Sequence, residues 1–164
     1  PVLEYNMHEL KQKNELTIAL AEKFGKGIVA TTDAHTGRFG EVYTLAKGDN
    51  FREFFANIEK GNNYIVPKNL TRELLIEEMN TWIDLIFEKS QKSSDIKSYL
   101  TGIKSLDAMV RISRSTLLNC FPGLNRKTMN LLYMISNTGL PASFYLHAEK
   151  NLAKEIEKQI EIKK

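Results

Sequence analysis

Apolar residues recur along the chain in two different patterns, one in roughly the first 66 residues and another in the remainder. In the first part, two short apolar runs at residues 2–5 and 27–31 have the length of β-strands. Between them, residues 9–24 repeat apolar side chains at helical spacing and are followed by two glycines that are typical of a helix end. This order predicts a βαβ unit with parallel strands and a right-handed crossover.

The rest of the first part predicts one more helix and one edge strand. Asn50 and Glu53 have the spacing of an N-cap and its acidic partner, and apolar residues then follow at helical spacing up to Gly61. Residues 64–66 form a short apolar run that Pro67 stops, which predicts an edge strand. No further parallel strand is predicted, although two short parallel strands do not form a stable sheet alone. We therefore expect a piece of a larger α/β fold, or a sheet that another chain completes.

The second part of the chain is helical in pattern throughout. Residues 70–89 carry a wide apolar stripe around Trp82 and Phe87, which predicts a deeply buried helix. A polar linker at residues 90–94 separates it from a second amphipathic helix over residues 96–110. Further breaks predict two more helices, so that about four helices with short connections form a small antiparallel array.

Prolines and glycines determine the predicted bounds of the last two helices. A Pro-Gly pair at residues 122–123 interrupts the apolar pattern, and Asn125 is expected to cap a shorter helix behind that break. Gly139 and Pro141 predict a C-cap followed by a proline stop, after which a last helix runs into the charged tail.

The predicted fold class is α/β over residues 1–66 followed by an all-α extension over residues 67–164, and mostly helical overall. At 164 residues, 42% hydrophobic and 26% charged, the chain has the composition of a folded protein with one ordinary core or two small ones. Its one cysteine, Cys120, excludes an internal disulfide and a cysteine-rich zinc site and fits a cytoplasmic location. No apolar run has the length of a membrane span, and the start at Pro1 predicts a processed or cut N-terminus.

Charge is divided unevenly between the two parts. Residues 1–90 carry 11 basic and 14 acidic side chains, a net charge of −3, whereas residues 91–164 carry 12 and 6, a net charge of +6. The basic side chains near the Pro-Gly break are Arg111, Arg114, Arg126 and Lys127. They suggest a basic nucleic-acid-binding helical module, but no set of stacking aromatic residues accompanies them, so solvated basic edges are the favoured interpretation. A helical interaction or assembly module is the other alternative to an enzyme.

The residues most typical of catalysis follow the second predicted strand. Asp33 and His35 come directly after a buried apolar run, and a loop with two glycines follows them. In an extended segment, residues i and i+2 point to the same side, so a carboxylate and an imidazole face one cavity. Both groups suit Zn, Mn and Fe, and α/β enzymes commonly carry their sites at strand ends. The sequence therefore predicts that Asp33 and His35 bind a divalent metal.

Several short runs, taken in order, resemble the closing part of one known family. They are Leu3-Glu4-Tyr5-Asn6, Asn14, Ala19-Leu20-Ala21, Asp33-Ala34-His35-Thr36, Gly40-Glu41-Val42-Tyr43-Thr44, Phe51-Arg52-Glu53-Phe54 and Glu59-Lys60-Gly61. Over roughly residues 2–66, the chain is similar to the polymerase and histidinol phosphatase (PHP) superfamily of metal-dependent phosphoesterases. The series is specific as an ordered set, whereas no single run would suffice.

The resemblance implies that residues 1–66 are the C-terminal portion of a distorted β/α barrel with divalent metals at its strand ends. Asp33 and His35 match the last Asp-x-His motif of the family, in which both side chains bind metal, and the implied reaction is attack of a metal-activated water on a phosphoester. The other histidine motifs of the family have no counterpart, since the chain contains only His8, His35 and His147. The expected function is therefore that of a C-terminal phosphoesterase fragment that is inactive in isolation.

Three further residues are candidates for the site. Glu4 and Asn6 match a family pattern at a strand end, and Arg38 in the loop after the metal motif is a candidate for binding a substrate phosphate. The expected cofactors are Zn, Mn or Fe in the complete protein, with the alternative that this chain alone binds none. The expected partners are the missing N-terminal part of the same fold or another chain, a phosphorylated small molecule or nucleotide as substrate, and a second copy in a homo-oligomer. The residues expected to pack or to lie on the surface are His8, His147 and Cys120.

Overall fold

The computed structural model of the chain describes residues 2–33, 36–37, 40–89, 92, 95, 97 and 104–162. By their contacts, these residues form two compact units. One comprises the chain up to Thr71 together with the residues from Tyr145 onward, and we call it the strand-containing unit. The other runs from Arg72 to Phe144, and we call it the helical unit. The expected division of the chain after residue 66 stays a prediction about domains.

The strand-containing unit begins with the predicted βαβ order. Its elements are β1 (Leu3–Asn6), α1 (Lys11–Phe24), β2 (Ile28–Thr31), β3 (Tyr43–Ala46), α2 (Phe51–Glu59) and β4 (Asn63–Val66). β1 and β2 pair in parallel, with Leu3 opposite Ile28 and Asn6 opposite Thr31. The predicted parallel pair and the helix between its strands are thereby confirmed.

β3 and β4 form a separate antiparallel ribbon. Tyr43 faces Val66 and Leu45 faces Tyr64, and all four side chains are exposed, so the ribbon has one exposed apolar face. The predicted strand at residues 64–66 is confirmed as β4. The sequence pattern does not predict β3, because four alternating residues inside a glycine-bearing loop are too few to stand out. The described strands form two two-stranded sheets and no closed barrel.

α2 begins and ends as its sequence predicts. At its start, Asn50 Oδ1 accepts a hydrogen bond from the backbone N–H of Glu53 at 3.1 Å, which satisfies one of the unpaired donors of the first turn. At its end, Gly61 has a φ of 73°, and the N–H of Asn62 donates to the carbonyl of Asn57 at 2.9 Å. This 6→1 bond across a left-handed glycine is the Schellman motif, which satisfies a carbonyl of the last turn.

Within the described residues, the helical unit has one more helix than expected. Its elements are α3 (Arg72–Asp84), a π-helical turn (Leu85–Lys89), α4 (Lys104–Ser113), the unpredicted short α5 (Thr116–Cys120), α6 (Pro122–Asn137) and the start of α7 (Leu140–Ile162), which continues into the strand-containing unit. The predicted linker and the first half of the second predicted helix lie largely outside the described residues. No helix of the described residues is long and apolar enough to cross a membrane.

Two predicted boundaries in this unit are wrong. The predicted break is confirmed, since α5 ends at Cys120, but α6 already starts at Pro122, because a proline in the first turn lacks only an N–H that needs no helical partner. Asn125 is consequently inside α6 and buried, and it does not cap the helix. Pro141 likewise lies in the first turn of α7 and does not stop a helix. The predicted end of α6 is confirmed, since it ends at Asn137.

The core of the helical unit is an apolar cluster. Its buried members are Ile83, Ile86, Phe87, Val110 and Leu118. Trp82 and Met109 are partly buried against it. The predicted burial of the apolar stripe on α3 is thereby confirmed.

Two buried polar side chains complete the hydrogen bonding of the π-helical turn. Ser113 donates from Oγ to the carbonyl of Ile86 at 2.8 Å, and Asn125 donates from Nδ2 to the carbonyl of Phe87 at 3.1 Å. A buried carbonyl without a donor is costly, and these two side chains supply donors to two carbonyls of the turn. Asn125 therefore serves the turn of a distant helix and not the start of its own.

Candidate functional site at the strand edge

The carboxyl ends of β1 and β2 lie side by side because the two strands are parallel. Asn6 pairs with Thr31, and the N–H of Met7 donates to the carbonyl of Thr31 at 3.0 Å. Two residues beyond Thr31, Asp33 follows at the same end. We call this end, with Glu4, Asn6, Thr31 and Asp33, the strand edge. It brings together three of the five predicted site residues.

The other two predicted site residues, His35 and Arg38, lie outside the described residues. Their predicted roles, as a metal ligand and as a phosphate-binding residue, stay predictions. Among the described residues, no group of three His, Cys, Asp or Glu side chains is close enough to hold a metal ion. His147 in α7 and Cys120 in α5 are exposed, and each lies far along the chain from the strand edge.

Asp33 has an unusual backbone conformation. Its φ is 45°, and it is the one residue other than glycine in the described part of the chain with a positive φ. Aspartate tolerates this left-handed region better than most residues, because its short side chain can hydrogen-bond locally. Such strained conformations cluster at functional sites, where they orient a side chain. The conformation therefore makes Asp33 the main candidate for a functional residue at the strand edge.

Asn6 orients the Asp33 carboxylate. Its Nδ2 donates to Asp33 Oδ2 at 3.4 Å, and its Oδ1 accepts the backbone N–H of His8 at 2.8 Å. Because a backbone N–H can only donate, the amide oxygen must face His8 and the amide nitrogen must face Asp33. In this arrangement Asn6 holds the carboxylate through its nitrogen, while its oxygen is engaged in the turn after β1.

Asn14 holds the end of β1 in place. It is 3% exposed, its Oδ1 accepts the N–H of Asn6 at 3.2 Å, and its Nδ2 donates to the carbonyl of Asn6 at 2.8 Å. Asn14 therefore bonds both backbone groups of Asn6 that face away from β2, and the Asn6 carbonyl also accepts the N–H of Glu9 at 3.1 Å. The sequence signal for this role is the position of Asn14 on the buried stripe of α1, between Leu10 and Ala21. A polar residue on an apolar stripe needs a partner.

Glu4 lies on the same face of β1 as Asn6. The hydroxyl of Thr31 donates to Glu4 Oε1, so the two strands are also joined through side chains. Glu4 and Asn6 line a small cavity of about 260 Å³, whose rim includes Glu9 and Lys13. All six described residues that line it are polar or charged, which suits water or an ion better than an apolar ligand.

Lys13 supplies the positive charge at the rim of this cavity. Its ammonium lies 2.8 Å from Glu9 Oε2 and also donates to Glu149 in α7. Burial acts to lower the pKa of Lys13, but the hydrogen bonds and charges of Glu149 and Glu9 outweigh it, so the net pKa lies above its usual value. Lys13 therefore stays protonated and offsets the carboxylates around the cavity.

No family model matches the chain, and no curated protein or solved structure matches it either. The resemblance to the PHP superfamily accordingly stays a prediction.

Proposed function

We propose that this chain supplies the C-terminal part of a metal-dependent phosphoesterase of PHP type, in which Asp33 and His35 bind a divalent Zn, Mn or Fe ion. The observation that carries the proposal is the position of Asp33. Its strained backbone lies at the carboxyl edge of two parallel strands, and Asn6 orients its carboxylate. That edge is where α/β folds collect catalytic groups.

In this proposal β1 and β2 belong to a partial β/α barrel. The preceding strands and the remaining ligands come from an N-terminal part of the same fold or from another chain in the cytoplasm. A bound metal ion would supply an activated water and stabilise the charge that develops on the phosphoester. Asp33 and His35 would hold the ion, and Asn6 would keep the Asp33 carboxylate in its orientation. Arg38 is the proposed contact for the substrate phosphate.

Paramagnetic NMR tests the metal site directly. Mn²⁺ is expected to broaden the backbone amide signals of Asn6 and of residues 31–33 in the ¹H–¹⁵N spectrum. Asp33→Asn keeps a residue that tolerates positive φ but removes the charge, and we expect it to weaken the broadening about tenfold or more. Asp49→Asn, an exposed aspartate in another loop, is the matched control and is expected to change nothing. Broadening that Asp33→Asn leaves unchanged would contradict the proposed ligand.

His35→Ala is the second arm of this test, with His147→Ala as its control. We expect weaker Mn²⁺ broadening only in the His35 variant. The isolated chain is also expected to show no hydrolysis of a chromogenic phosphodiester with Mn²⁺, because two protein ligands are too few for a catalytic site. Hydrolysis by the isolated chain that His35→Ala abolishes would show that it is not an incomplete fragment.

One observation favours a second candidate function, in which the helical unit is an assembly module. α6 exposes large apolar side chains along one side, at Leu124, Leu131, Met134 and Ile135. Exposed apolar residues at helical spacing are typical of a surface that another protein covers. Sedimentation at increasing concentration tests this candidate. A concentration-dependent oligomer that chelators leave intact would support it, and a monomer at all concentrations would contradict self-assembly.

A further inference from the structure

An open cleft of about 650 Å³ lies away from the strand edge, within the strand-containing unit. Its walls are the end of β3, the start of β4 and the C-terminal end of α2. Asn63 in its wall donates from Nδ2 to the carbonyl of Ile28 at 2.6 Å. Ile28 is the first residue of β2, whereas Asp33 follows its last residue, so the cleft and the strand edge lie at opposite ends of β2. The volume is in the usual range for small-molecule sites.

The described lining of the cleft combines one aromatic ring, several amides and one cation. The ring is that of Tyr64, which is 80% exposed and lies opposite Leu45 on the ribbon. The lining amides belong to Asn57, Asn62 and Asn63, and the cation is Lys47. No carboxylate is among the described residues that line the cleft. This lining offers a stacking surface, donors and acceptors, and a positive charge, and nothing that repels an anion.

Hydrogen bonds to backbone groups hold the walls of the cleft in place before any ligand enters. Asn57 donates from Nδ2 to the carbonyl of Lys47 at 2.9 Å, which joins α2 to the end of β3. The Schellman motif at Gly61 sets the path of the chain from α2 into β4. A site whose walls are already ordered loses less entropy when a ligand binds.

We propose that this cleft binds a mononucleotide. The base stacks on the Tyr64 ring, its edge meets the amides of Asn57 and Asn62, and the phosphate pairs with the Lys47 ammonium. Bases that lie outside a helix are recognised in this way, by stacking on an aromatic side chain and by hydrogen bonds to their edges. Lysine binds phosphate as a point charge and needs no fixed geometry. The proposal does not rest on the proposed phosphoesterase site, which lies at the other end of β2.

A ¹H–¹⁵N NMR titration of the chain with AMP tests the proposal. AMP is expected to shift the amide signals of residues 45–47 and 61–64 and to leave those of Asn6 and residues 31–33 in place. Tyr64→Ala is expected to weaken AMP binding about tenfold, whereas Tyr64→Phe retains it. Tyr43→Ala is the matched control, because Tyr43 is exposed on the same ribbon face but does not line the cleft. Equal AMP affinity in Tyr64→Ala and the unaltered chain would overturn the proposal.

Adenosine, which lacks the phosphate, and ribose 5-phosphate, which lacks the base, test the contributions of the two groups to binding separately. Lys47→Ala is expected to weaken AMP binding up to about fivefold and to leave adenosine binding unchanged, since only AMP carries the phosphate. Lys60→Ala, an exposed lysine outside the cleft lining, is its control and is expected to alter neither. Ribose 5-phosphate that binds as tightly as AMP would overturn the role of the base. The absence of saturable shifts with all three probes up to about 10 mM would overturn the site itself.

Discussion

The two units of the chain satisfy their backbones in different ways. In the strand-containing unit, each of the four described strands is only four residues long. Side chains there form hydrogen bonds with backbone groups that no neighbouring strand pairs. Thr44 accepts the N–H of Ala30 through Oγ1 at 2.8 Å, and Asn63 donates to the carbonyl of Ile28. In the helical unit, backbone groups bond within each helix, and the π-helical turn is the place where buried side chains are needed.

The difference follows from the geometry of the two kinds of element. A helix pairs its own N–H and carbonyl groups, so its burial depends on an apolar stripe. A strand needs a neighbour for every group, and an edge without one must be covered. We therefore expect the stability of the helical unit to fall most when buried apolar side chains are truncated. We expect the stability of the strand-containing unit to fall most when hydrogen-bonding side chains are removed.

The largest effect is expected for Ile86→Ala. Ile86 is 2% exposed within the apolar cluster, and truncation of such a residue costs about 2–5 kcal/mol of unfolding free energy because a cavity remains. Urea unfolding followed by the fluorescence of Trp82, the one tryptophan, reports on this unit. Ile112→Ala is the control, since Ile112 is 59% exposed in the same unit. Equal losses in both variants would show that the cluster does not hold the unit together.

The next largest effect is expected for Asn14→Ala. It removes both bonds from the Asn14 side chain to the backbone of Asn6, and we expect a cost of about 1–3 kcal/mol because the Asn6 N–H loses its acceptor, while the Asn6 carbonyl keeps the N–H of Glu9. Hydrogen exchange of the Met7 amide, which donates to Thr31, is expected to become faster. Glu22→Ala on the exposed side of α1 is the control. Unchanged exchange in Asn14→Ala would contradict the view that side chains complete this unit.

Tyr133→Phe tests a polar contact inside the helical unit. The Tyr133 hydroxyl donates to Asp84, and burial together with this carboxylate raises the pKa of Tyr133 to about 12 from its usual value of 10.0. The folded state therefore holds the phenol proton more tightly than the unfolded state. The stabilisation is fully present below about pH 10 and is lost as the pH rises towards 12.

We expect Tyr133→Phe to cost about 1–2 kcal/mol near neutral pH and to flatten the alkaline decline of the unfolding free energy. Urea midpoints measured at several pH values between neutrality and about pH 11 provide the comparison. The same decline in both proteins would assign it to other groups. In that case the contact between Tyr133 and Asp84 would contribute little, and the stability of the helical unit would depend mainly on its apolar packing.

The smallest effect is expected at the start of α2. Asn50→Ala removes the side-chain acceptor for the Glu53 N–H and is expected to cost about 1 kcal/mol, whereas Asn50→Ser keeps a cap and most of the stability. Thermal unfolding followed by far-UV circular dichroism distinguishes the two variants. Similar losses in both would mean that the cap contributes little beside the tertiary contacts of α2.

Local patterns in the sequence determined much of the fold. The strands around residues 3–6 and 28–31, the helix between them and the N-cap at Asn50 depend on periodicity and on residues three or four positions apart, so they can be read without knowledge of the rest of the chain. The same holds for Asp33, whose place directly after an apolar strand predicts the strand edge. These features are local because backbone hydrogen bonding in helices and turns is local.

Tertiary contacts decided the remainder. β3 exists because β4, some twenty residues later, pairs with it. Asn125 matches a cap by its type and position, yet it donates to Phe87, a residue 38 positions away. The orientation of Asp33 likewise depends on Asn6, 27 positions earlier. A polar side chain bonds to whichever backbone group folding brings within about 3 Å. Spacing along the sequence does not predict which groups come that close in the folded chain.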